Sequence, residues 1–82
     1  MAAKKDTAYL KAFGEAVREQ RVKLDLSQEK LGFRSELDRT YISGIERGVR
    51  NPTIKTVYRI ATALQTKPSR LTAAAEAILG GS

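Results

Sequence analysis

The sequence predicts an all-α protein, five helices in one domain, on three observations. Apolar residues recur at three- and four-residue spacing in five separate segments, and good N-cap residues stand ahead of three of them. No stretch alternates apolar and polar residues as a half-buried strand would. The 82 residues make one domain, of a size at which a single core suffices only when its elements are short and locally connected.

The first helix is expected over residues 7–24, where Leu10, Phe13, Val17 and Leu24 share a face and Asp25 stands at the stop, a place that often wants a left-handed residue. Residues 1–6 and 80–82 read as tails around a domain at 7–79. Ser27 caps a second helix over residues 28–34 that points Leu31 inward. A third helix runs from its cap at Asp38 to Gly48, with Leu37, Tyr41, Ile42 and Ile45 on the inner face. Its other face carries Arg39, Thr40, Ser43, Gly44 and Arg47. The fourth helix begins at Thr53, after Asn51-Pro52, and carries Ile54, Val57, Ile60, Ala61 and Leu64; Ile54, Val57 and Leu71 are expected in the core. The fifth has Pro68 in its first turn and carries Leu71, Ala74, Ala75, Ile78 and Leu79. Only about four residues join the second and third helices. A connector that short forces a steep crossing, which is the helix-turn-helix arrangement, here at about residues 27–47, with the outer face of the third helix free.

Composition narrows the chemistry. No apolar run approaches the roughly 20 residues that cross a bilayer, and the start does not resemble a signal peptide, so a soluble cytoplasmic protein is expected. Cysteine and histidine are both absent, which removes disulfides, thiolate metal ligands and the commonest general base. Ser27, Ser35, Ser43 and Ser69 therefore have no His to activate them; neither an enzyme, a metal, a cofactor nor a small-molecule ligand is expected. The net charge is +6, distributed as +1 over residues 1–38, +6 over 39–70 and −1 over 71–82. In the middle stretch Arg39, Arg47, Arg50, Lys55, Arg59, Lys67 and Arg70 face Glu46 alone. Such an excess suits a polyanionic partner such as nucleic acid, and equally a solvated, solubilising surface.

Four motif elements occur together: Arg21, LSQEKL at residues 26–31, YISGIERG at 41–48 and NPT at 51–53. With them the chain resembles the phage-repressor class of helix-turn-helix domains, the Xre/Cro family, over roughly 60 of its 82 residues. The run LDRTYISGIERGVRNPTIKT is closest in motif to controller proteins of restriction-modification systems. The resemblance implies a lambda-repressor-like five-helix domain that acts as a homodimer on a short pseudo-palindromic operator in double-stranded DNA, with RNA polymerase as a further candidate partner. Three positions depart from the family pattern. Glu36 stands where a turn glycine is common, and since a non-Gly residue at positive φ costs about 1 kcal/mol, a slightly different turn is expected. Gly32 replaces an Ala and Asp25 a Gly, both small enough for the packing.

A projecting helix enters the major groove N-terminus first, so Arg39 and Thr40 are the expected base readers, with Ser43 one turn on at the groove rim. Arg39 suits guanine O6 and N7, and Thr40 a thymine methyl or a hydrogen-bonding edge. Gly44 offers close approach rather than readout. The resemblance implies phosphate contacts from Gln28, at the start of the second helix, and from Arg47, Arg50 and Asn51, though each also suits an ordinary exposed position. Tyr41 suits the core, with its hydroxyl reaching a phosphate. Arg21 and Glu46 match positions that pair in the family and read as a structural ion pair between the first and third helices. Tyr58, Ile78 and Leu79 are the dimer-interface candidates. The alternatives to a sequence-specific regulator are an antitoxin-like autoregulator that also sequesters a protein partner and a sequence-indifferent DNA coat.

Overall fold

The structure, a computed structural model, describes residues 3–80. Its elements are α1 (Ala3–Lys23), α2 (Gln28–Ser35), α3 (Arg39–Glu46), α4 (Ile54–Ala63) and α5 (Pro68–Gly80), with no strand among the described residues. The starts of α2, α3 and α4 follow from side-chain oxygens that satisfy first-turn N–H groups. Ser27 accepts from Lys30 N at 3.0 Å, Asp38 from Thr40 N at 2.8 Å and Thr53 from Thr56 N at 3.2 Å.

The ends of α1, α2, α3 and α4 share one device. In each, a residue in the left-handed region donates its N–H three residues back and the next residue donates five residues back. The pairs are Asp25 to Val22 and Leu26 to Arg21, Glu36 to Phe33 and Leu37 to Gly32, Gly48 to Ile45 and Val49 to Gly44, and Gln65 to Thr62 and Thr66 to Ala61. Three of the four left-handed residues are not glycine: Asp25 and Glu36 sit at φ 60° and Gln65 at 58°. Glu36 thus keeps the turn (φ 60°, ψ 39°) instead of reshaping it, contrary to expectation, because the bonds to Gly32 and Phe33 satisfy carbonyls that would otherwise lack partners.

Val17, Leu31, Ile42, Ile45, Ile60, Ala61, Leu64 and Leu71 meet in one core, with Phe13, Leu24, Leu26, Leu37 and Tyr41 around it. Each fully buried large aliphatic side chain contributes about 1.5–3 kcal/mol of transfer free energy. A second cluster joins α1 to α5 through Ala12, Ala16 and Ala75, with Phe13, Ala74 and Ile78 packed on it. Small residues there let the two long helices approach closely, and Gln20 Nε2 adds a bond to the Leu64 carbonyl at 3.2 Å.

Three further expectations change. α1 starts at Ala3, so residues 3–6 continue the helix and do not form a tail; at the other end α5 includes Gly80, and residues 1–2 and 81–82 lie outside the described residues. Ile54 is not core: at the first position of α4 it is 73% exposed, whereas Leu71 is buried and Val57 half-buried. Gly32 is more than a small residue that happens to fit, since a Cβ there would lie 2.6 Å from the Leu37 carbonyl oxygen. The bond from Leu37 N to Gly32 O folds the turn onto α2 and leaves no room for a methyl group.

Candidate nucleic-acid interface

The inner face of α3 is immobilised from several sides. Ile42 and Ile45 are buried in the core, and a Cβ at Gly14 of α1 would collide with the main-chain carbonyls of Ile45 and Glu46, so α1 lies directly against the end of α3. Glu46 receives both arms of the Arg21 guanidinium, Nε at 2.6 Å and the second amino nitrogen at 3.0 Å. The remaining Arg21 nitrogen donates to the Leu26 carbonyl at 2.7 Å. Only 12% of the Arg21 side chain and 3% of the Glu46 side chain reach solvent. The hydrogen bond to Glu46 raises the Arg21 pKa above its ordinary value; burial opposes this and the carboxylate charge adds to it.

The outer face is open. Arg39 and Thr40, the expected base readers, are both exposed in the first turn of α3. Asp38, just before them, is held below the usual carboxylate range by the Thr40 side chain first and the Thr40 main-chain N–H second. A charged cap so placed opposes the positive end of the α3 dipole and orders the turn that carries Arg39. Ser43 is half-buried and accepts from Arg47 Nε at 3.4 Å, drawing the Arg47 stem along the helix. Arg50, in the loop after α3, lies with its guanidinium carbon 5.5 Å from the centre of the half-buried Tyr41 ring. Asn51 is exposed beside it in sequence.

Two residues stand differently from their expected roles. Gly44 is buried: the Arg50 side chain covers it, so it is not itself an open approach surface. Gln28 donates through Nε2 to Glu46 at 3.0 Å, joining the α2 start to the Arg21 pair. Its main-chain N–H, in the first turn of α2, is among the groups with no intrahelical partner.

The pairing of Glu46 also sharpens the charge distribution. Arg39, Arg47, Arg50, Lys55, Arg59, Lys67 and Arg70 are all exposed, while the one carboxylate of that stretch is withdrawn into the interior and neutralised by Arg21. A groove between the end of α2 and α4 gathers Arg34, Lys55 and Arg59 around Ser35, Glu36, Tyr58 and Thr62. The four-residue spacing of Lys55 and Arg59 is a sequence signal for that convergence; for Gly14 there is none, since its partner is a main chain thirty residues away. Tyr58 is 59% exposed and Leu79 39%, whereas Ile78 is largely occupied by the Ala12, Ala16 and Ala75 cluster. No helix among the described residues is long and apolar enough to cross a membrane.

Comparison with known proteins agrees with this geometry. The helix-turn-helix family HTH_3 matches residues 17–71. Control protein C.BamHI of Bacillus amyloliquefaciens is 48% identical over 60 residues, covering 72% of this chain and 74% of its own. The solved controller protein C.AhdI from Aeromonas hydrophila superposes with a TM-score of 0.75 at 47% identity, over 76% of this chain and 94% of its own. A tetramer of the controller protein C.Esp1396I, solved on its natural 35-base-pair operator, superposes with a TM-score of 0.76 at 35% identity, over 83% of this chain and 90% of that one. The chain belongs to the Xre-type helix-turn-helix family of DNA-binding regulators, with restriction-modification controller proteins among its relatives.

Proposed function

We propose that the protein is a sequence-specific transcriptional regulator that binds a pseudo-palindromic operator as a homodimer, with α3 in the major groove. The observation that carries this reading is the contrast on α3 itself: Arg39 and Thr40 stand open at its N-terminal turn while its other face is locked to α1 and the core. Arg39 and Thr40 read base edges, and Ser43 contributes at the rim. Arg47, Arg50 and Asn51, the Tyr41 hydroxyl and the start of α2 at Gln28 hold the sugar-phosphate backbone and set register.

One small domain reads only a few base pairs, so two copies about one DNA turn apart, roughly 34 Å, supply the specificity. Tyr58 and Leu79, with Ile54 one turn before Tyr58, offer apolar surface for that dimer; Ile78 takes a smaller share. The operator complex of C.Esp1396I supports duplex DNA and assembly as the mode of action. Occupancy is set by protein concentration through the dimer equilibrium, in the cytoplasm, and RNA polymerase is a further partner where the protein activates.

Selection of bound duplexes from a random pool tests the reading. It should return two half-sites related by two-fold symmetry at about one helical turn. Selected sites without symmetry contradict the dimer, and no enrichment over the starting pool contradicts sequence-specific binding altogether.

A further inference from the structure

The outer face of α3 has one buried residue. Thr40 and Arg47, one turn before and after it, are exposed, yet Gly44 is buried. The nearest atoms over it belong to one side chain, Arg50. A Cβ built on Gly44 would lie 2.6 Å from Arg50 Cγ, with Arg50 Nε at 3.5 Å and Cδ at 3.6 Å as the next nearest atoms. The chain reversal after α3 makes this possible: Val49 N donates to Gly44 O at 2.9 Å and Gly48 N to Ile45 O at 3.0 Å, so residue 50 re-emerges over the helix just ended. From there the guanidinium reaches the Tyr41 ring, one turn before Ile45, with 5.5 Å between its carbon and the ring centre.

We propose that Gly44 is the seat of Arg50: a helical position kept free of a side chain so that the arginine stem lies in contact with α3 and its guanidinium is presented, already ordered, beside Tyr41 at the edge of the DNA groove. Gly44 is then a positioning residue that acts on DNA affinity only through Arg50. The proposal rests on the reading of Arg50 as a phosphate contact. Arginine carries among the largest rotamer entropies of any side chain, and a stem ordered before binding loses less on meeting a phosphate. Glycine in mid-helix works against the helix, which alanine would favour. The three atoms nearest an added Cβ all belong to the Arg50 side chain, so an alanine should turn that stem away and leave the main chain of α3 in place.

The test measures Kd at several salt concentrations for the parent, Gly44→Ala, Arg50→Ala and the double variant, together with melting temperatures. Two probes serve, a duplex taken from random-pool selection and a mixed-sequence duplex, because a phosphate contact acts on both. Gly44→Ala should melt no lower than the parent and bind both duplexes about three- to tenfold more weakly, with a smaller salt dependence. In the Arg50→Ala background the same substitution should change nothing further. Unchanged binding by Gly44→Ala, when Arg50→Ala does weaken it, overturns the seat. A further loss in the double variant also overturns it, since the glycine would then meet the duplex itself, and a lower melting temperature assigns the glycine to the fold. If Arg50→Ala binds as the parent does with the same salt dependence, the phosphate reading fails, and the seat with it.

Discussion

The two faces of α3 use the same kind of chemistry in opposite ways. On the inner face a full charge, Glu46, is withdrawn from water and every hydrogen bond it needs is supplied, by Arg21 at 2.6 and 3.0 Å and by Gln28 at 3.0 Å. On the outer face three arginines, Arg39, Arg47 and Arg50, stay in solvent with at most one weak partner each, a long bond to Ser43 for Arg47 and a ring contact for Arg50. Charges that hold the fold are thereby separated from charges left in solvent: buried charge tolerates no loss of its counter-ion, whereas solvated charge is dispensable to folding and available for binding.

Substitutions on either face should therefore separate stability from affinity. The largest effect is expected from Glu46→Gln, which leaves the Arg21 guanidinium short of its counter-charge and should cost about 3 kcal/mol, seen as a melting temperature lower by more than about 10 °C. Base preference of the fraction still folded should be unaltered. Arg39→Ala comes next and should do the reverse, removing about 1–3 kcal/mol of discrimination at one base position per half-site while thermal unfolding stays within about 0.5 kcal/mol of the parent. Arg47→Ala should weaken all duplexes alike and lower the slope of log K against log salt by about 0.9, as a titration across salt concentrations would read.

Smaller effects lie in the turn between α2 and α3. Asp38 is held below its ordinary carboxylate range by Thr40, so its contribution to stability is present above the aspartate range and lost as pH falls through its own lowered value. Melting curves of the parent and Asp38→Ala should differ above about pH 4 and converge in stronger acid. The smallest change is expected from Glu36→Gly, which relieves a non-glycine residue at φ 60° and should raise stability by about 0.5–1 kcal/mol in a denaturant titration, with no change in DNA preference.

Much of this contrast is written locally. Ser27, Asp38 and Thr53 cap their helices because a short side-chain oxygen ahead of an apolar-periodic run is a self-contained signal, and Ile42 and Ile45 are buried as their spacing says. What escapes a local reading depends on a partner distant in sequence. Ile54 fits the helical period yet faces solvent, because burial needs an opposing surface and, unlike the half-buried Val57 in the same turn, Ile54 points away from it. The early start of α1 was not legible because the run Ala3-Lys4-Lys5-Asp6 carries no apolar period. Gln65 entered the left-handed region without a glycine or asparagine to announce it; only the fold of the next residues requires it. On the candidate interface, the exposure of Arg39 and Thr40 is legible by position in a short helix, whereas the cover of Arg50 over Gly44 and the turn of Gln28 toward Glu46 exist only once loop and helix are assembled.

In the proposed function, the first turn of α3 reads bases while the rest of the outer face holds phosphates. Random-pool selection repeated with Arg39→Ala tests it most directly, by comparing its base preferences position by position with those of the parent. Preference should be lost at one position in each symmetric half-site and kept elsewhere. Equal loss at every position, or an unchanged preference, would contradict it.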